Sequence, residues 1–290
     1  MIIIDFSSIS IATIFAQPKE SLNEDLIRHF ILNSLRMYNT KFREEYGKTI
    51  IACDHRSWRK KVYPEYKASR KTGRDNSDMD WNFIFDIIGK VQTEIEEFLP
   101  YPVIHVKDAE ADDIIATLVE NTQQFGQYED VMIVSSDKDF IQLQKYNNVK
   151  QFSPAAKKLL YDSSPEKYLF THVLRGDSSD GVPNVLSADD CFVTKTRQTP
   201  LSKKKIENWW TEVKENKKEL RDVLDEKTYR NYLRNSTMID LGKIPRPLTQ
   251  KINDIYNNVE QKGNSKVLNY LIQKQCKQLI SCAEEFFIKK

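Results

Sequence analysis

Three short apolar runs of this chain end in aspartate, and carboxylates set out in that way are suited to holding cations. Ile2-Ile3-Ile4 leads into Asp5, Thr49-Ile50-Ile51-Ala52-Cys53 into Asp54, and Val131-Met132-Ile133-Val134 through two serines into Asp137. Three further acidic features follow the same theme: Glu110-Ala-Asp112-Asp113, the continuation Asp137-Lys-Asp139, and the glycine-bounded segment Gly176-Asp177-Ser-Ser-Asp180-Gly181. So many carboxylates in one pocket would repel one another unless cations neutralised them. Oxygen ligands without His or Cys favour magnesium, with manganese as a substitute, over zinc. Eight acids (Asp5, Asp54, Glu110, Asp112, Asp137, Asp139, Asp177 and Asp180) exceed what one magnesium requires. Two ions clamping a phosphodiester fit that ligand count better.

For these acids to meet, the elements between them must return the chain to one edge. The runs before Asp5, Asp54 and Asp137 are β-branched-rich and do not alternate, as expected of strands covered on both faces. Helical stripes separate them, over roughly Leu22 to Tyr46, Asp80 to Phe98, and onward from Glu110, with a further strand expected at Val103 to Val106. Strand-helix alternation of this kind predicts an α/β fold with a mostly parallel central sheet flanked by helices. In such a sheet the carboxyl ends of the strands line one crevice, where ligands bind. From about Ser178 the strand signals fade and Lys, Glu, Asn and Leu dominate. Helices are expected over Lys203 to Asn216, Lys227 to Arg234, Leu248 to Asn258 and Lys266 to Phe287. The expected division is therefore an α/β domain over 1–177 and a smaller helical C-terminal domain over 178–290.

Each acidic cluster alone has an ordinary explanation. Glu110 and its neighbours would favour a helix dipole, an aspartate after a strand would cap the next helix, and Gly-Asp-Ser-Ser-Asp-Gly would make a polar turn. Their coincidence where a parallel sheet would gather them favours a metal site. Receiver domains and haloacid-dehalogenase-type phosphatases also place aspartate at strand ends, but neither accounts for the late pair Asp177 and Asp180.

Composition narrows the setting. The chain has 290 residues, 40% of them apolar and 30% charged, as in ordinary globular proteins. No apolar run approaches the roughly 20 residues that span a bilayer. The opening MIIIDFSS reads as a buried strand rather than a signal peptide, which leads us to expect a cytoplasmic protein (in a bacterial host, if phage-encoded) with no membrane contact. Cys53, Cys191, Cys276 and Cys282 form no CxxC pair, so reduced core thiols are expected rather than zinc ligands. The formal net charge is +2, and setting eight acids aside leaves the rest of the chain at +10. A basic body around a focused acidic pocket suits a polyanion that is bound by one and cut at the other.

The basic groups are concentrated after Asp54. Residues 55–74 hold Arg56, Arg59, Lys60, Lys61, Lys67, Arg70, Lys71 and Arg74 against one acid, Glu65, with Trp58, Tyr63 and Tyr66 interleaved. Cations meeting phosphates and rings meeting bases suit single-stranded nucleic acid, and Arg59, Lys60, Lys71 and Arg74 are the candidates for that contact. A solvated face would show the same charge. Lys203 and Lys204 are candidates for tracking duplex phosphates, though a solvated helix end is equally consistent.

The ordered series IIIDFS, IIACDHRSWR, YKASRK, DAEADDIIA, IVSSDKDFIQL and LRGDSSDGVPNV resembles the flap endonuclease/5′-nuclease superfamily, and within it the ribonuclease H group of T-even bacteriophages. The resemblance runs over nearly the whole chain. It implies a PIN/5′-nuclease-like fold and a two-metal 5′ to 3′ nuclease with ribonuclease H, exonuclease and flap activity, which removes RNA primers during DNA replication. It further implies that Asp5, Asp54, Asp112 and Asp137, with Glu110 close by, hold one ion, and that Asp139, Asp177 and Asp180 hold the second. Residues at about 55–80 would form an arch over the active site, with Tyr66, Lys67 and Arg70 on the family's catalytic pattern. Lys67 and Arg70 would meet the scissile phosphate. The expected partners are DNA and RNA–DNA hybrid with a free 5′ end or flap, bound by a monomer, and a single-stranded-DNA-binding protein at the C-terminal domain. Sliding-clamp docking through an N-terminal extension is not expected, because only four residues precede Asp5. Gly181-Val-Pro-Asn-Val-Leu-Ser also departs from the family's glycine-rich helix–hairpin–helix. The rival readings are a PIN-type RNase, which is usually shorter, a binding protein without catalysis, and a phosphatase of small monoesters.

Overall fold

The computed structural model describes residues 1–18, 22–124, 128–260 and 262–288. They form two compact units, one of residues 1–56, 79–161 and 246–290, the other of residues 57–78 and 162–245.

The first unit is built on a six-stranded sheet. Its strands are β1 (Ile2–Asp5), β2 (Thr49–Cys53), β3 (Val103–His105), β4 (Val131–Val134), β5 (Val149–Ser153) and β6 (Lys158–Leu160), in the order β3-β2-β1-β4-β5-β6. All neighbours run parallel except the β5–β6 pair. The isoleucines of β1 are fully buried, as a parallel strand covered on both faces requires. Helices α1 (Phe6–Phe15), α2 (Glu24–Tyr46), α5 (Trp81–Phe98) and α6 (Ala111–Thr122) supply the cover. The sheet grows outward from β1 in both directions, to β2 and β3 on one side and to β4 and β5 on the other. The switch in direction therefore lies between β1 and β4, where open α/β sheets present a crevice at their carboxyl ends.

Register fixes what faces that crevice. Asp5 pairs with Ala52, so Asp54 stands two residues further along its own chain, and Ile4 pairs with Val134, which puts Ser135 beside Asp5. The expected mostly parallel sheet is present. Sequence patterning left out strands β5 and β6, the helix over Pro165–Arg175, and helix α1, whose FSSISIATIF shows no polar stripe of helical period.

Contacts divide the chain elsewhere than at the expected 177/178 boundary. Residues 246–290, expected in the C-terminal domain, pack with the sheet, while 57–78 belong with the helices of the second unit. Val267, Tyr270, Leu271, Leu279 and Phe286 share the main core with α2 and α5. A polar network reinforces the docking. Glu94, on α5, accepts from Arg28 Nε at 2.8 Å, from the Tyr270 hydroxyl at 2.8 Å and from Lys274 Nζ at 2.5 Å. The single helix expected over Lys266 to Phe287 is broken into α12 (Val267–Gln273), α13 (Lys277–Ile280) and a 3₁₀ turn, with Gln275 left-handed at φ 52° between the first two.

Burial works against the Glu94 charge, but Arg28, Lys274 and Tyr270 together hold its carboxyl below the ordinary value of 4.5. Its contribution to stability is therefore present above pH 4.5 and is lost as pH falls through the lower folded value. Glu94→Gln is expected to cost about 2 kcal/mol at neutral pH, because Arg28 and Lys274 both lose this buried carboxylate while Arg28 keeps only its pairs with the more exposed Glu24 and Asp25. Urea melts of the variant should also show a shallower loss of stability below pH 4.5 than those of the parent chain.

The second unit carries α3 (Arg59–Val62), α4 (Ser69–Asp75), α7 (Pro165–Arg175), α8 (Lys203–Lys214), α9 (Leu220–Val223) and α10 (Glu226–Ile239). The remaining helix, α11 (Arg246–Asn258), belongs to the first unit. Tyr63, Tyr66, Val173, Val182 and Met238 form one core of the second unit, and Phe170, Leu174, Val185, Ile206 and Trp209 another.

Candidate metal and nucleic-acid site

Asp5 ends β1 and caps α1. Its Oδ1 accepts from the Ser8 amide at 3.0 Å and its Oδ2 from the Ser135 hydroxyl at 2.8 Å. Asp54 follows β2, and its Oδ1 accepts from the Ala111 amide at 2.8 Å, which ties the tip of β2 to the start of α6. Asp137 lies past β4 and caps a 3₁₀ helix, accepting from the Asp139 amide at 2.9 Å. Glu110 is the N-cap of α6, and Asp112 stands in its first turn. Asp113 closes the capping box, its Oδ2 accepting from the Glu110 amide at 3.0 Å, and is fully buried.

The strand tips thus bring Asp5, Asp54 and Asp137 to one edge, with Glu110 and Asp112 tied in through Asp54. Burial, and then the Asp54 charge, push the Asp5 carboxyl up to about 7, with Asp137 adding to the effect. Among the described residues no three acids of this unit bring ligand oxygens within 4.8 Å of one another. The donor set is all oxygen, concentrated and partly buried, and a bound cation would relieve the repulsion that raises Asp5. It fits a hard divalent ion that retains some of its water.

Two residues that sequence reasoning passed over hold this edge in place. The Ser135 hydroxyl donates to Asp5 while accepting from the Asp137 amide at 3.1 Å, so one side chain spaces two of the acids. Gln151, fully buried on β5, donates to the Ser135 carbonyl at 3.0 Å and the Asp137 carbonyl at 2.5 Å. Ser135, the first of the two serines before Asp137, could have been suspected from its place between strand and acid. Nothing in the sequence singled out Gln151.

In the second unit, Asp177 and Asp180 lie in the turn between Gly176 and Gly181, both left-handed at φ 69° and 73°. Asp177 Oδ1 accepts from the Ser179 amide at 2.7 Å and the Ser179 hydroxyl at 2.6 Å, and its Oδ2 lies 3.7 Å from His172 Nε2. Burial opposes its charge, but His172 and Ser179 outweigh that and hold the carboxyl far below the ordinary range. Asp180 Oδ2 accepts from the Tyr66 hydroxyl at 3.0 Å and lies 3.5 Å from Lys67 Nζ, while Arg70 pairs with Oδ1.

The expected nucleic-acid contacts divide by exposure. Lys60, Lys71, Lys203 and Lys204 are exposed and Arg74 is half-buried. Arg59 is not available: it is 2% exposed and its Nε donates to the Met238 carbonyl at 2.8 Å. It fastens the basic segment to the end of α10, a role a charge count cannot separate from phosphate binding.

Comparison with known proteins places these observations. Residues 1–168 match the family described as the 5′-3′ exonuclease N-terminal resolvase-like domain, and residues 163–286 match the T4 RNase H C-terminal family. Ribonuclease H of Enterobacteria phage T4 is 32% identical over 98% of this chain and 95% of its own. A 5′-3′ exonuclease of Buchnera aphidicola is 29% identical over 64% of this chain and 65% of its own. Among solved structures, the bacteriophage T5 flap endonuclease in complex with DNA and metal ions aligns with a TM-score of 0.62 at 16% identity, covering 90% of this chain and 99% of that one. With the family shown over more than half its length and a relative matched almost end to end, this chain belongs to the 5′-3′ exonuclease family of nucleases, on the branch that includes the phage T4 ribonuclease H.

Proposed function

We propose that this nuclease is magnesium-dependent, works 5′ to 3′ on RNA–DNA hybrid and on DNA with a free 5′ end or flap, and removes primers during DNA replication. The reading is carried by one observation: carboxylates from three parallel strand tips and one helix start gather at the same sheet edge. Asp5, Asp54, Asp112 and Asp137 would hold one ion, with Glu110 behind them. The assignment of Asp139, Asp177 and Asp180 to a second ion rests on motif order and family membership. Bound divalent ions supply Lewis acidity, lowering the pKa of water and stabilising charge on phosphoryl oxygens. Lys67 and Arg70 would orient the scissile phosphate and offset its growing negative charge, while Tyr66 positions them. Exposed Lys60, Lys71, Lys203 and Lys204 would hold the polyanion through phosphate contacts. Scission would leave a 5′-phosphate with no covalent intermediate on a side chain.

The same reading makes the protein a cytoplasmic monomer whose helical part meets a single-stranded-DNA-binding protein. No helix among the described residues is long and apolar enough to cross a membrane. Labelled 5′-flap, hybrid and blunt-duplex substrates, incubated with magnesium or with EDTA, test the proposal. Magnesium-dependent cutting that releases 5′-phosphates is expected. Equal cutting in EDTA, or activity confined to small phosphomonoesters, would refute it.

A further inference from the structure

One carboxylate of the second unit already occupies the cations expected to meet a phosphate. Both oxygens of Asp180 are engaged: Oδ2 by the Tyr66 hydroxyl at 3.0 Å and by Lys67 Nζ at 3.5 Å, and Oδ1 by Arg70. The backbone locks this pairing in register. The Lys67 amide donates to the Asp180 carbonyl at 2.7 Å, with Lys67 itself left-handed at φ 56°. The Tyr63 hydroxyl donates to the Gly181 carbonyl at 3.2 Å, and a Cβ on Gly181 would lie 2.9 Å from the Glu65 carbonyl oxygen. The turn and the basic segment therefore meet so closely that only glycine fits at that point, and Asp180 points at the cations because both backbones are fixed there.

We propose that in the free enzyme Asp180, held in place by the Tyr66 hydroxyl, stands in for a substrate phosphate, filling the anion seat made by Lys67 and Arg70, and must leave it when a nucleic-acid phosphate enters. A carboxylate and a phosphodiester offer the same pair of anionic oxygens to an arginine fork and an ammonium group. The exchange keeps the cations neutralised and pre-oriented until a strand arrives. It also releases the Asp180 carboxylate at the moment of binding, which couples strand capture to the availability of that acid. The proposal rests on the reading that Lys67 and Arg70 meet a phosphate. A purely structural ion pair would make the opposite prediction, since removing it would loosen the segment and weaken binding.

The test is the affinity for a 5′-phosphorylated single-stranded oligothymidylate, measured by fluorescence anisotropy in EDTA over a range of salt. Asp180→Asn is expected to bind about five- to tenfold more tightly at low salt, with a salt slope steeper by about 0.7 to 1.4 as one or two cations become available to phosphates. Asp177→Asn, which removes the same charge from the same turn, should stay within about twofold of the parent chain. Tyr66→Phe keeps every charge while loosening the hold on Asp180. It should tighten binding about twofold, and it decides the matter if Asp180→Asn does not fold. Binding by Asp180→Asn that is weaker than the parent's, or no tighter than that of Asp177→Asn, overturns the proposal, as does an unchanged Tyr66→Phe if that variant must decide. The function reading is judged separately, by whether the parent chain cuts a 5′ flap in magnesium.

Discussion

Asp137→Asn is expected to lower the rate of cutting by about a thousandfold or more while leaving nucleic-acid affinity within roughly tenfold. The substitution is nearly isosteric and preserves the local fold. Asp137 Oδ1 accepts from the Asp139 amide at 2.9 Å, a bond the asparagine oxygen can still make. The Asp137 amide and carbonyl are held by Ser135 and Gln151, which the change does not touch. What is lost is one negative charge beside Asp5, whose carboxyl already feels Asp54 and Asp137 through partly buried surroundings. Single-turnover cleavage of a labelled 5′ flap, together with anisotropy on the same substrate, separates the two quantities. Turnover within tenfold of the parent would remove Asp137 from the metal site, whereas a matched collapse of affinity would place it in strand binding.

Gly176→Ala should be the most damaging single methyl group in the second unit. Gly176 has φ 69° and ψ −177°, a conformation that side-chain-bearing residues rarely adopt. A Cβ there would clash with the Val182 carbonyl oxygen and lie 2.5 Å from that of Pro183. The Pro183 carbonyl cannot easily retreat. Asn235, fully buried on α10, donates to the Pro183 and Val173 carbonyls at 2.8 Å each, stapling the two sides of the turn that carries Asp177 and Asp180. The expected cost is about 3 kcal/mol or more, from strain and clash together. Nuclease activity should fall beyond what instability explains, because the turn itself must shift. Gly73→Ala is the control: a Cβ there meets nothing within 4 Å in helix α4, so its stability should change by less than about 1 kcal/mol. Urea melts of the two variants side by side check the contrast, and similar midpoints would contradict it.

The parts of the fold that could be read from sequence are those where one physical pattern dominates. Unbroken β-branched runs ending in aspartate announced β1, β2 and β4, and parallel pairing follows from the helices between them. Features that depend on contacts far apart in sequence were not legible. Arg59 looks like its basic neighbours until Met238, 179 residues later, is seen to accept from it. Gln151 is an ordinary strand residue until β5 lies beside β4. The late segment 246–290 reads as helical and polar, which suggested the C-terminal domain. Its allegiance is decided instead by Tyr270 and Lys274 reaching Glu94. Asp180 was expected as a cation ligand, and its pairing with Lys67 and Arg70 in the second unit depends on the left-handed Lys67 and Gly181 backbones, which composition does not reveal.

A silent binding protein would share much of this architecture. What separates the metal-dependent nuclease reading from it is whether the acids at the carboxyl edge of β1, β2 and β4 take up divalent ions. Anomalous diffraction from crystals soaked in manganese answers that directly. A peak within about 2.5 Å of carboxylate oxygens of at least two of Asp5, Asp54, Asp112 and Asp137 is the expected result. Strong manganese peaks elsewhere on the protein, with none at this edge, would contradict it.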